Sequence, residues 1–69
     1  MRVRTFKAIR ALDGLSHSAF ARKIGVSRSL VAQIEHGSKV ITDETAGKIR
    51  KVYGHEYVAK VERFIEESK

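Results

Sequence analysis

Sixty-nine residues make one domain near the lower size limit for a chain that folds on its own core, and 42% hydrophobic residues make that core adequate but small. The absence of cysteine excludes disulfides and thiolate-bound metals and suits a reducing compartment. The net charge of +6 lies entirely in residues 1–39, where eight basic side chains face only Asp13 and Glu35, while residues 40–69 hold six of each sign.

A basic half joined to a neutral one suits a polyanion approached from one side. Charge alone is equally served by a solubilising surface, so the motifs must decide. No apolar run approaches the roughly 18 residues of a membrane span. Met1-Arg2-Val3-Arg4 does not open a signal peptide, so a soluble cytoplasmic protein is expected.

In chain order, Val3, Phe6, Ile9 and Leu12 recur along one stripe and predict a first helix over about 3–12, with Arg2, Arg4 and Lys7 outward. Asp13-Gly14 ends it, and Leu15 supplies a hydrophobic contact before Ser16. Ser16 caps a second helix over about 17–24, and Gly25 closes it. Ser27 caps a third helix over about 28–36, closed by Gly37. Phe20, Ile24, Val26, Val31 and Ile34 are the apolar positions of the stretch 17–36, and the small Ala21 lets its two helices cross closely. Two short helices about a tight turn, residues 17–36, read as a helix-turn-helix unit.

Thr42 caps a fourth helix that runs to about Tyr53, with Asp43 and Glu44 favourable in its first turn and Thr45, Ala46, Ile49 and Val52 expected in the core. Gly47 within it signals close packing or a kink. Gly54 ends that helix, and a last one spans about 55–68 with Tyr57, Val58, Val61, Phe64 and Ile65 on one face. No linker, repeat or low-complexity stretch divides the chain, so residues 1–69 read as a single all-α domain, a compact bundle of about five helices.

The segment Phe20-Ala21, Ile24-Gly25-Val26-Ser27, Val31 and Ile34-Glu35 followed by Gly37 resembles the helix-turn-helix of the phage-repressor family, the group of Cro and lambda-repressor-like regulators. The resemblance covers roughly residues 4–54. It implies sequence-specific binding to double-stranded DNA by a transcription regulator of phage or bacterial origin. It further implies a homodimer on a pseudo-palindromic operator. Such family members commonly pair an arginine late in the first helix with a glutamate late in the third, which implies an Arg10–Glu35 ion pair. They usually carry glutamine where this chain has His17, so the backbone contact at that position is altered here.

The third helix has two faces. Leu30, Val31 and Ile34 point inward, while Arg28, Ser29, Ala32, Gln33 and His36 point outward. Gln33 suits adenine N6 and N7, and Arg28 suits guanine O6 and N7. Ser29 reaches a base or a phosphate, and the Ala32 methyl suits a thymine methyl. Those four are the candidate base contacts, against the plainer reading of a solvated polar face.

Candidate DNA-backbone contacts are Ser16, His17 and Ser18, at a helix N-terminus that favours phosphate, together with Arg10, Arg22, Lys23, His36 and Lys39. Tyr57, Val61, Phe64 and Ile65 form a stripe wider than a surface helix needs, which is expected to serve partly the core and partly a dimer.

Other chemistries are excluded. His17, His36 and His55 lack metal-ligand spacing, no cofactor motif is present, and no serine has a histidine–carboxylate partnership, so an enzyme is not expected. Five aromatics, most of them apparent core, give no stacking platform for RNA. The rival to a repressor is an antitoxin of the same fold, whose main partner is a toxin protein and which regulates its own promoter.

Overall fold

The computed structural model describes residues 1–68 and contains five helices: α1 (Val3–Leu12), α2 (His17–Ile24), α3 (Arg28–His36), α4 (Asp43–Tyr53) and α5 (His55–Glu67). There is no strand among the described residues. The last helix stops at Glu67, one residue short of its expected end.

Local chemistry sets most of these limits. Ser16 Oγ accepts from the Ala19 N–H at 3.1 Å, Ser27 Oγ from Leu30 at 3.1 Å, and Thr42 Oγ1 from Thr45 at 3.2 Å. Each satisfies one orphan donor of a first helical turn. Gly25 closes α2 at φ +82°, where its own N–H and that of Val26 both reach the Ala21 carbonyl at 2.9 Å. From α4, Lys48 Nζ donates to the Gly25 carbonyl at 3.2 Å, so the turn of the motif is tied to the rest of the bundle.

Gly54 both ends α4 and begins α5 at φ +91° and ψ +143°, a region that is essentially glycine's own. One residue therefore turns the chain from one helix into the next. Gly47 is exposed and a Cβ there would meet nothing within 4 Å, so close packing does not explain it.

α1 packs on α3 and α5, α2 on α3 and α4, and α4 on α5. At the centre lie Phe6, Ile9, Phe20, Val31, Ile34, Ile49 and Val58, all fully buried. The rings of Phe6 and Phe20 meet edge to face at 5.2 Å between centroids. Ala21 is buried on α2. The radius of gyration, 11.0 Å, equals the roughly 11 Å of a folded chain of this length.

Two expected core residues are outside it. Leu12 is 68% exposed and Val52 is 41% exposed. A helix advances about 100° per residue, so a strict three-residue spacing slips about 60° per step and brings Leu12 nearly half a turn from Val3. The face of α1 that is buried is Thr5, Phe6 and Ile9. Likewise Thr45, Ala46 and Ile49 occupy the buried face of α4, and Val52 lies off its edge.

The stripe on α5 divides in the same way. Val58, Val61 and Ile65 are buried in the domain, whereas Tyr57 is 37% and Phe64 68% exposed. Tyr57 and Phe64 are seven residues apart, hence within about 20° of each other on the helix, and form a second stripe beside the core-facing one.

Candidate nucleic-acid interface

α3 places Arg28 and Ser29 at its exposed start, Gln33 and His36 exposed further along, and Ala32 half-buried between them. Ala32, Gln33, Glu35 and His36 line a shallow open depression together with His17 from α2, Lys7 from α1 and Ser38 after Gly37. The side chains on α3 are thus met by groups from both neighbouring helices. Ser38 and Lys39 donate their N–H groups to the Gln33 carbonyl at 2.9 and 3.3 Å, which folds the exposed connector back over the end of α3.

Lys7 and Ser38 are absent from the sequence-derived set. The available signal for Lys7 is its place one turn before Arg10 on the same helix face. Ser38 has no comparable signal, because the return of the connector depends on how α3 ends.

The N-terminus of α2 lies beside this depression through His17. Ser16 and Ser18 flank that residue, Ser16 exposed and Ser18 half-buried. Ser16 Oγ satisfies Ala19, which leaves the backbone N–H groups of His17 and Ser18 without a partner among the described residues. Two unpaired donors at the positive end of a helix favour an anion.

Beneath the depression Arg10 grips Glu35 with two parallel hydrogen bonds. Nε donates to Oε2 at 2.6 Å and Nη2 to Oε1 at 2.9 Å, and Nη1 donates to the Leu15 carbonyl at 2.8 Å. One guanidinium therefore joins α1, α3 and the segment entering α2. A guanidinium has five N–H donors, so two remain for a further acceptor. His17 Nε2 stands 3.3 Å from Glu35 Oε1.

Burial pushes the Glu35 carboxyl up, but the Arg10 hydrogen bonds and charge, with help from His17, more than reverse this and hold it below the usual carboxylate range. The same pairing raises the Arg10 guanidinium further above its already high value.

Lys23 is placed differently from its expected role at the DNA backbone. Its Nζ is bonded to Asp13 Oδ2 at 2.5 Å and lies over the Tyr53 ring at 4.7 Å. Tyr53 donates from its hydroxyl to the same Asp13 oxygen at 2.7 Å. Lys23 and then Tyr53 lower the Asp13 carboxyl, while burial and the Asp13 charge raise the Tyr53 phenol. Lys23 sits near the C-terminal end of α2, in a cluster with Leu12, Val52 and Tyr57 rather than with the α3 face.

Both acidic residues of the basic half are thereby engaged. Arg2, Arg4, Lys7, Arg22, Arg28 and Lys39 form no ion pair among the described residues, and all six are exposed.

No group of three or more histidine or carboxylate side chains capable of holding a metal occurs among the described residues. No helix of those residues is long and apolar enough to cross a membrane.

The family model described as Helix-turn-helix matches residues 6–63, a span that takes in the capped pair α2 and α3, all of α4 and most of α1 and α5. No significant match is found among curated proteins or solved structures. The family is one of DNA-binding regulators that are generally not enzymes. The match, the paired helices and the unpaired cations agree: the chain belongs to the Cro- and lambda-repressor-like helix-turn-helix family and is a DNA-binding transcription regulator of that type.

Proposed function

We propose that this regulator is a repressor of phage or bacterial origin that inserts α3 into the major groove of a pseudo-palindromic operator and blocks promoter access by occupancy. The observation that carries this reading is the exposed row Arg28, Ser29, Gln33 and His36 on a helix flanked by unpaired cations. Base edges in that groove carry a distinguishable donor and acceptor pattern, which side chains of these types can read.

In this reading Gln33 and Arg28 take adenine and guanine, and Ser29 and Ala32 supplement them. Ser16, His17, Ser18, Arg10, Arg22, His36 and Lys39 hold the backbone, with Lys7 added to the set and Lys23 removed. Phosphate contacts of this kind fix the docking angle without reading sequence.

Selection from random duplex DNA at low and near-physiological salt tests the reading. A motif that survives the higher salt is expected. Gln33→Ala and Arg28→Ala should each relax one base position by about 1–3 kcal/mol. An unchanged motif and affinity in Gln33→Ala would remove α3 from the role of reader.

The dimer is proposed through the face shared by α1 and α5. Ala8, Ala11 and Leu12 border Tyr57, Lys60 and Phe64 around an apolar groove whose floor includes Val61 and Ile65. Leu12 and Phe64, both 68% exposed, are the large hydrophobics that leave this face unfinished in a single chain. A two-fold pairing would bury the same patch on both copies, and binding adjacent half-sites requires it to hold the two recognition helices about 34 Å apart, one turn of DNA. Sedimentation is expected to show a dimer at micromolar concentration and a monomer for Phe64→Glu. A wild-type monomer at high micromolar concentration without DNA would count against it.

The same exposed face also favours the second reading, an antitoxin that seats a toxin there and represses its own promoter. Tight capture of the product of an adjacent toxin-like reading frame, with duplex binding that lacks any motif, would move that reading to first place.

A further inference from the structure

We propose that His17 makes the grip of this domain on DNA dependent on pH, through a change in what its imidazole offers to a phosphate. The proposal rests on the reading that the depression between α3 and the start of α2 faces DNA.

Glu35 from α3 meets the ring, Arg10 from α1 is bonded to the same carboxylate, and Lys7 from α1 and His36 from α3 line the same depression, with Ser16 and Ser18 on either side of His17 in the chain. Its Nε2 faces the Glu35 carboxylate oxygen at 3.3 Å. An ionised carboxylate only accepts, so the ring must present Nε2–H to it. In a neutral imidazole that choice leaves Nδ1 as a bare acceptor.

A bare acceptor repels a phosphate oxygen. Nδ1 has no hydrogen-bond partner among the described residues, and the side chain is 36% exposed, so this is the nitrogen left to meet a ligand. Protonation reverses its polarity. Nδ1 becomes a donor beside the two unpaired backbone N–H groups of His17 and Ser18.

The charge changes with it. Arg10, Glu35 and neutral His17 sum to zero, and one proton makes the cluster +1, with Lys7 on its rim. Histidine is the side chain that changes charge between about pH 5 and 8. Glu35 is held below the usual carboxylate range and stays an anion throughout that interval. The partner that fixes the tautomer therefore keeps its charge throughout. Binding DNA and binding the proton assist each other, since each brings the other's opposite charge.

The experiment is fluorescence anisotropy of the full chain with a labelled mixed-sequence duplex at about pH 8 and about pH 6, each across a salt series. Wild-type affinity is expected to rise about 5-fold or more at the lower pH. Its salt slope should steepen by about 0.9, the value of one added phosphate contact. His17→Gln keeps an N–H donor for Glu35 and cannot take a proton, so whatever its affinity at pH 8, it should lose most of the gain between pH 8 and pH 6. His36→Gln, which lacks the Glu35 contact, should retain most of it.

Wild-type binding that ignores pH, or a full pH effect in His17→Gln, would overturn the proposal and leave the DNA interface standing. Failure of the wild type to hold duplex at either pH would instead strike the interface, and this inference with it.

Discussion

Truncation of Phe20 to alanine should cost about 4 kcal/mol and leave the chain without a cooperative thermal transition. Phe20 is fully buried on α2, edge to face with Phe6 of α1 at 5.2 Å and tilted against Tyr53 of α4 at 6.2 Å. Three helices thus lose a shared filler, and a core of this size has few neighbours able to collapse into the space. At about 0.05–0.15 kcal/mol per residue, the whole domain is held by only about 3–10 kcal/mol, so the loss is comparable to the total. Circular dichroism during heating is the measurement. A cooperative melt whose midpoint falls by less than about 5 °C, the shift expected of only about 1 kcal/mol, would show that Phe20 is not the keystone described. Phe20→Leu, which keeps most of the volume, should melt cooperatively at an intermediate temperature.

Glu35→Ala should be the most damaging polar change, at about 2–3 kcal/mol, because it strands a largely covered guanidinium. The Glu35 side chain is 7% exposed and that of Arg10 22%, so the value is set below that of a fully buried pair. Once the carboxylate is gone, Arg10 keeps only the Leu15 carbonyl, and α1 loses its polar tie to α3.

The pH dependence has a definite sign. The folded-state value of Glu35 is depressed, so its stabilisation is complete above the ordinary glutamate value of about 4.3 and disappears as pH falls through the lower folded value. Asp13 is depressed as well and acts in the same direction. Arg10 is raised, and its contribution would be lost only at strongly alkaline pH. Melting temperatures of wild type and Glu35→Ala should therefore differ most at neutral pH and converge in strong acid. Parallel curves down to about pH 2 would separate Glu35 from the acid lability of the fold.

Glu35→Ala and His17→Gln also distinguish two roles at one cluster. The first removes the tie that holds the helices together, and its effect is on melting. The second leaves that tie in place and alters only the outermost of the three groups, so its effect is on DNA affinity as a function of pH. A domain this small uses the same carboxylate to fasten α1 to α3 and to fix the tautomer of a histidine at its surface.

By itself the sequence determined where each helix begins and ends to within a residue. Ser16, Ser27 and Thr42 cap within three residues of themselves, and Gly25 and Gly37 turn the chain where they stand, so those signals are complete in a short window. The family was legible for the same reason, since its pattern lies within one capped helix pair and the turn between them. The concentration of charge in residues 1–39 needed no structure either.

Only the tertiary structure decided how each helix is rotated against its neighbours and which distant groups meet. Leu12 and Val52 belong to apolar stripes yet lie outside the core, and Tyr57 and Phe64 part company with Val61 and Ile65. Lys23 carries the same charge as Lys7, but Asp13 and Tyr53 hold one while the other lines the depression beside Gln33. Periodicity supplies relative angles along one helix and leaves the origin of rotation free. That origin, and the meeting of Arg10, His17 and Glu35 from three helices, follow from packing all five at once, because no single helix can bury its face alone.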